Sequence, residues 1–241
     1  MIRIVDLHKS FGETVVLDGF TLDVPDGSTT VLLGRSGAGK SVLLKQLVGL
    51  LVPDQGRVEI DGQVVHELDP DALTRLRQEI GYVFQFAALF DSLTCGDNVR
   101  MGLVRQGLDA DEVESRTTAA LELVGLVESI DRHPAELSGG MRKRIGIARA
   151  VALRPRYILW DEPTTGLDPV TTATMDRLMM QVREELGVTS VVVSHDLKSA
   201  FTVADRVALL HEGRVREAGT VAEIQASEDP IVRQFIEGRP E

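Results

Sequence analysis

The stretch "GRSGAGKS", residues 34–41, sets three glycines, a lysine and a hydroxyl in the pattern GxxxxGK[ST]. Gly34, Gly37 and Gly39 let the backbone turn its N–H groups toward the oxygens of a phosphate chain, and the amino end of a following helix adds positive potential there. Lys40 is placed to reach the outer phosphates, and the Ser41 hydroxyl to bind magnesium. Gly34, Arg35, Ser36, Gly37, Ala38, Gly39, Lys40, Ser41 and Val42 are therefore the predicted nucleotide-binding segment. The competing reading, a flexible turn with a chance lysine, leaves the apolar flanks on both sides without a reason.

A second stretch, "YILWDEP", ends four residues of buried strand in two adjacent carboxylates, Asp161 and Glu162, at the strand end where ligands of parallel sheets bind. Asp161 fits a magnesium partner, directly or through water, and Glu162 fits the group that polarises an attacking water. Alone, the pair reads as an acidic strand end capping the turn before Pro163. Beside a phosphate loop, two carboxylates with separate roles point to hydrolysis more than to simple binding.

A third stretch, "LSGGMRKR", residues 137–144, places a hydroxyl and two glycines ahead of Arg142, Lys143 and Arg144 at a predicted helix start. A helix amino end is already partly positive, so three cations there work against it. The plain reading is a solvated face pairing with nearby acids such as Glu136, expected for at least one of the three.

Positioning these residues requires strands that alternate with helices. Ile2, Ile4, Val15, Leu17, Phe20, Leu22 and Val24 recur near period two and predict strands broken at "SFGET". "TTVLLG" (29–34) is a buried strand, "SVLLKQLVGLL" an apolar helix, and "PDQGRVEIDG" a strand and turn. A charged helix around Leu73 to Arg77 and the strand "IGYVF" follow. The stretch from Asp97 to Gly125 is mainly helical, with acids early and a glycine late, and reads as a subdomain insert. Residues 139–153 are helical. Met175, Leu178, Met179, Val182 and Leu186 form one helix face, and "VTSVVVSHD", "RVALLHEG" and "RVREAG" close the chain as strands. The alternation implies a parallel core sheet, and the hairpin-rich start an antiparallel edge.

Composition narrows the class. With 241 residues, 43% hydrophobic, the chain can bury a sizeable core. A net charge of -11 gives no general attraction to nucleic acid. One cysteine, Cys95, excludes an intramolecular disulfide and a cysteine-rich metal cluster and suits a reducing cytoplasm. The amino end has no apolar signal core, and no apolar run approaches the roughly 18 residues of a membrane span, so a membrane role must come through partners.

"LSGG" followed by a basic helix, a short distance before the "DE" strand, resembles the signature of the ABC ATPase family, and the resemblance covers nearly the whole chain. Gln85, ending "IGYVFQ", resembles the family's Q-loop glutamine; "TGLD" (165–168) resembles the D-loop; His195 after "VVVS" resembles the switch histidine; Phe11 lies where the family stacks an aromatic on adenine. Each has a plainer alternative: a solvated glutamine, a structural histidine, a core phenylalanine, and a helix cap for Asp168.

The resemblance implies an α/β P-loop NTPase of ABC type, with a mostly parallel core sheet flanked by helices, an antiparallel β edge subdomain and an α-helical signature subdomain. It makes 1–241 a single ABC ATPase domain, with 1–95 and 155–241 as core and 96–154 as the helical part. ATP and Mg2+ are the implied cofactors, with Ser41, Gln85 and Asp161 at the metal and Lys40, Gln85, Glu162 and His195 catalytic. Ser138, Gly139, Gly140 and Met141 would close over the ATP held by a second copy of the chain, so that ATP drives dimer closure.

In that family, the apolar run Phe86 to Phe90 is read as a surface receiving a coupling helix from a membrane subunit, against core packing as the alternative. "FQFAALFDSLT", "LSGGM", "LDPVT" and "DPIVRQFIEG" together resemble the ATPases of MCE-associated, Mla-type phospholipid transport. Met141, where most of the wider family has glutamine, is in keeping with that subgroup. The implied partners are integral membrane permease subunits and an MCE-domain lipid-binding protein, with no nucleic acid, and the implied place is the cytoplasmic face of the inner membrane. The chain stops soon after "EGRPE", which leaves tail-mediated dimerisation open. The competing readings are an amino-acid or metal importer ATPase, a soluble ABC module, and an ATP-binding regulator without turnover.

Overall fold

The structure is a computed structural model and describes residues 1–239; Pro240 and Glu241, the end of the "EGRPE" tail, lie outside the described residues. The chain divides into two compact units, residues 1–77 with 189 onward, and residues 78–188.

In the first unit, β1 (Ile2–Phe11) and β2 (Thr14–Val24) pair antiparallel, with the break at Gly12 and Glu13 inside "SFGET". β4 (Gln55–Ile60) joins the other side of β1, and the short β5 (Gln63–Val64) ends the order β2-β1-β4-β5. Ile2, Ile4, Leu17, Phe20, Leu22 and Val24 are buried as the alternation requires, but Val15 departs from it at 61% exposure, and a register shift after Ile4 brings Leu7 into the core instead. The same unit carries β3 (Thr29–Leu33), parallel to both β8 (Thr189–Ser194) and β9 (Arg206–His211), with β10 (Arg214–Thr220) antiparallel on β9. All five residues of β3 are buried, as an interior parallel strand requires. Helix α1 (Lys40–Leu47) follows β3 and stops earlier than its apolar run implies. Gly49, at φ +65°, turns the chain there, and Leu50 is left exposed. Helix α2 (Pro70–Gln78) begins in this unit. Three helices that the sequence pattern left unassigned, α7 (Leu197–Val203), α8 (Val221–Gln225) and α9 (Pro230–Ile236), are short and opened by Asp196, Thr220 and Asp229.

The second unit has two parallel strands, β6 (Ile80–Val83) and β7 (Tyr157–Asp161), in register from Ile80↔Tyr157 to Val83↔Trp160. Around them run α3 (Cys95–Arg105), α4 (Ala110–Leu123), α5 (Gly139–Val151) and α6 (Pro169–Leu186). Thr94, Asp109, Ser138 and Asp168 cap these four helices through their side chains. Met175, Leu178, Met179 and Val182 are buried as one face of α6. Leu186 departs from that face and is exposed, because the helix is in its last turn before the left-handed Gly187.

Candidate functional site

In the first unit, Leu33 lies in register with Ser194 of β8 and Leu209 of β9. Gly34 and His195 therefore leave neighbouring strand ends side by side. The loop then turns through Gly37 and Gly39, at φ +80° and +103°. A side chain at Gly39 would be strained by its backbone and would meet Val16 Cγ1 at 2.7 Å. The buried Lys40 ammonium donates to the carbonyls of Gly34 at 2.8 Å and Arg35 at 3.0 Å, folding the loop around itself. Helix α1 starts without a side-chain cap. Every other described α-helix has one, Asp69 serving α2. With a lysine and left-handed glycines beside it, this helix start offers a donor set that fits a phosphate.

His195 is exposed, and Asp196 beside it caps α7 by accepting from Ser199 N–H. Phe11 ends β1 at 48% exposure, so it is not a core residue. Its ring lies 5.6 Å from Lys9 Nζ, which is itself held at 2.7 Å by Asp54.

In the second unit, Asp161 is the last residue of β7 and accepts a hydrogen bond from the Tyr82 hydroxyl on β6 at 3.1 Å. Burial, reinforced by the Asp161 charge, pushes the Tyr82 phenol well above its ordinary value, so it stays a donor. Glu162 follows at φ +51°, a left-handed conformation that costs a non-glycine residue about 1–3 kcal/mol. Its Oε2 accepts from Thr165 Oγ1 at 3.1 Å, and its carbonyl from Thr165 N–H at 3.3 Å. Gln85 corrects one expectation: β6 ends at Val83, so Gln85 lies two residues past the strand, half-buried. The reason is that the chain beyond Val83 turns, reaching left-handed Ala87 and Ala88 at φ +61° and +48°. Phe86 in this turn is 84% exposed and Phe90 is exposed too, while Ala87 between them is buried, so the run is mixed: its two phenylalanines are surface and Ala87 packs in the core.

The basic stretch is also corrected. Ser138 caps α5 by accepting from Met141 N–H, and Gly140 lies so close to α6 that a Cβ would meet Thr171 Cγ2 at 2.7 Å. Arg142 donates to the Leu137 carbonyl at 2.6 Å and Arg144 to the Val124 carbonyl at 3.0 Å. Lys143, only 8% exposed, donates to the carbonyls of Pro163 at 2.9 Å and Thr165 at 2.7 Å, with that of Glu162 at 3.5 Å. Glu136 pairs with none of them; its carboxylate accepts from His133 N–H. The cations satisfy carbonyls at the ends of turns and helices, groups that otherwise need water. Asp168 caps α6, accepting from the N–H groups of Val170 and Thr171 and from the Thr171 hydroxyl.

The sequence profile of the ABC transporter family matches residues 17–165. The chain belongs to the ABC transporter family. Over 240 residues it is 42% identical to the probable ribonucleotide transport ATP-binding protein mkl of Mycobacterium leprae, covering 99% of this chain and 69% of that protein. It is 40% identical over 238 residues to the methionine import ATP-binding protein MetN of Mesorhizobium japonicum, covering 99% of this chain and 65% of that one. Among solved structures, it superposes at TM-score 0.83 and 33% identity on the ATP-binding cassette MJ0796 in a dimeric, post-hydrolysis state bound to ADP and Pi, over 92% of this chain and 99% of that one. It superposes at TM-score 0.87 and 30% identity on cbiO1 of Clostridium perfringens, part of the transporter complex cbiONQ, over 97% and 93% of the two chains.

The chain is thus the ATP-binding subunit of an ABC transporter, an α/β ATPase that uses ATP and Mg2+ and couples hydrolysis to transport. No described helix of this ABC ATPase is long and apolar enough to cross a membrane. Within its first unit the loop from Gly34 to Ser41 and His195 leave adjacent strand ends; within its second, Lys143 of α5 bonds the turn that carries Glu162, Tyr82 holds Asp161, and Asp168 caps α6. Sequence reasoning missed the residues that hold these groups. Tyr82 gave only an alternating strand position. Thr165 lies inside "TGLD", a motif marked by its aspartate. Arg149, which donates to the Ala87 and Ala88 carbonyls at 2.8 and 2.6 Å, gave only a cation in a helix. Asn98, fully buried, binds the N–H and carbonyl of Phe90 and the carbonyls of Leu93 and Thr94. A polar amide inside the apolar pattern of "GDNVRMGL" was its one signal.

Proposed function

We propose that this ABC ATPase powers lipid movement between envelope membranes, working as a pair of copies on permease subunits at the cytoplasmic face of the inner membrane, with an MCE-type lipid-binding partner. The observation that carries the coupling is the exposed Phe86 and Phe90 turn directly after Gln85, tied by Arg149 to the signature helix. An apolar patch of this kind is a docking surface for an apolar partner segment, and its attachment to α5 gives a mechanical route from the partner to the nucleotide machinery. Met141 and the stretches "FQFAALFDSLT" and "LDPVT" support the lipid branch.

In this reading Phe11 stacks on adenine and residues Gly34 to Val42 cradle the phosphates, with Lys40 exchanging loop carbonyls for phosphate oxygens. Ser41, Gln85 and Asp161 hold magnesium, which supplies charge neutralisation at the phosphates when bound. Glu162 orients and polarises the attacking water, and His195 stabilises charge on the outer phosphate. Ser138 accepts from Met141 N–H, so its own O–H is available to a phosphate of the second copy, beside the N–H groups of Gly139 and Gly140. Asp168, while capping α6, lies on the same copy-to-copy surface. The solved relative MJ0796 is dimeric, which supports the two-copy arrangement.

The names of the relatives divide between ribonucleotide and methionine transport, so a polar-solute importer is the second reading. Purification from membranes with the native partners decides between them. Co-purifying permease and MCE subunits with bound phospholipid is the expected result; a binding protein specific for a polar solute in their place would overturn the lipid reading. Glu162→Gln is expected to bind ATP and not turn it over, and hydrolysis at the parent's rate would remove Glu162 as the base.

A further inference from the structure

Lys143 is buried in the signature helix, yet its ammonium makes no ion pair with any described residue; its partners are the carbonyls of Glu162, Pro163 and Thr165, at 3.5, 2.9 and 2.7 Å. An ammonium has three donors and a buried one left without acceptors is costly, so this is a built site with a matched donor and acceptor set. The three carbonyls belong to the turn in which Glu162 stands at φ +51°. A left-handed glutamate persists only where its surroundings over-determine it. The same turn has Thr165 Oγ1 donating to Glu162 Oε2, so fixing the Thr165 backbone also fixes the donor that aims the carboxylate.

From this geometry we propose that Lys143 is a positioning residue for Glu162: a strut from the signature helix that sets the direction of the carboxylate through Thr165. The proposal rests on the reading of Glu162 as the group that polarises water. It gives the middle cation of "MRKR" a task separate from ATP binding, because Lys143 faces the chain's own catalytic turn, while Ser138 and the glycines at the start of the helix are exposed or half-exposed. Gly140 against Thr171 of α6 is a second point at which the signature helix meets the segment that follows Glu162. Two contacts, one at each end of the 162–171 segment, make the signature and that segment one mechanical piece.

The test is steady-state hydrolysis by the purified chain with Mg-ATP, comparing the parent with Lys143→Met, Lys143→Gln, Thr165→Val and Glu162→Gln, alongside thermal unfolding and equilibrium binding of a fluorescent ATP analogue. Lys143→Met keeps an unbranched stem, one atom shorter, and removes every donor, and is expected to lower kcat about tenfold to a hundredfold while KM and ATP affinity stay within about threefold of the parent. Lys143→Gln returns amide donors to the same carbonyls and is expected to recover part of kcat. Thr165→Val leaves the strut intact and is expected to lower kcat alone by about tenfold. If Lys143→Met does not fold, Thr165→Val and Lys143→Gln decide. A kcat within twofold of the parent in folded Lys143→Met or in Thr165→Val, or a loss shared equally by kcat and ATP affinity, overturns the proposal. Glu162→Gln separates the two levels: if it is inactive while the Lys143 variants run at the parental rate, the strut alone is wrong, whereas a fully active Glu162→Gln removes the reading beneath it.

Discussion

The Tyr82 hydroxyl reaches across from β6 to Oδ2 of Asp161 at the end of β7, 3.1 Å away, so the carboxylate proposed for magnesium is oriented by a half-buried phenol on the adjacent strand. The Tyr82 ring is set against Phe84, with centroids 4.3 Å apart, which ties the orientation to the start of the Gln85 turn. Hydrogen-bond partners behind a metal-binding carboxylate commonly change metal affinity by about 10–100-fold when removed. Tyr82→Phe, which keeps the ring, is expected to raise the magnesium concentration for half-maximal hydrolysis by about tenfold and to cost about 1 kcal/mol of stability. A magnesium titration of hydrolysis measures the first and chemical unfolding the second; an unchanged titration would separate Tyr82 from the metal.

Gly140 is needed for its lack of a side chain. A Cβ there would stand 2.7 Å from Thr171 Cγ2, which belongs to a methyl group on the first turn of α6. Gly140→Ala is therefore expected to lower the melting temperature. Thr171→Ser removes that methyl and keeps the hydroxyl bound to Asp168, so the double variant should recover most of the loss. Additive losses in the melting temperatures of the four-protein cycle would argue against the contact.

Arg149 clamps the carbonyls of Ala87 and Ala88, two successive left-handed residues beneath the exposed Phe86. Burial lowers the guanidinium's pKa, though an arginine remains charged at neutral pH. Arg149→Lys replaces a planar fork by a point charge and is expected to lose up to about 1.5–3 kcal/mol, the range for hydrogen bonds to a charged group. The loss should be local: amide hydrogen exchange across residues 84–90 should accelerate well before exchange in β7 changes. Uniform acceleration through the second unit would show that the clamp is global.

The helix cap at Asp168 makes stability depend on pH. Its carboxyl is held below the usual carboxylate range, first by the Thr171 hydroxyl and then by the N–H groups of Thr171 and Val170. A lowered folded value means that the unfolded chain takes up the proton more readily. The stabilisation is therefore complete above the unfolded value of about 3.9 and is lost as pH falls through the lower folded value. Asp168→Ala should melt below the parent at pH 7, and the gap should close as pH drops below that range. A gap that stays constant down to the acid limit would mean that the carboxylate charge is not what the cap uses.

By itself, the sequence determined the local chemistry and the alternation of elements. "GRSGAGKS" needs only its own glycines and lysine to shape a phosphate loop, and the period-two face of β1 and β2 and the 3.6-period face of α6 are written in nearest neighbours along the chain. The caps at Ser138 and Asp168 are equally local, since a cap reaches only two or three residues ahead. What tertiary structure decided is which distant groups those motifs lean on. Tyr82 meets Asp161 because β6 and β7 pair in parallel from chain segments 79 residues apart. Lys143 and Arg149 find carbonyls because neighbouring turns present them, and any backbone carbonyl looks the same in sequence whatever residue carries it. The three cations of "MRKR" looked like surface charge for that reason. Charge and spacing mark where a cation is, but only the folded chain supplies the acceptors that give it a task.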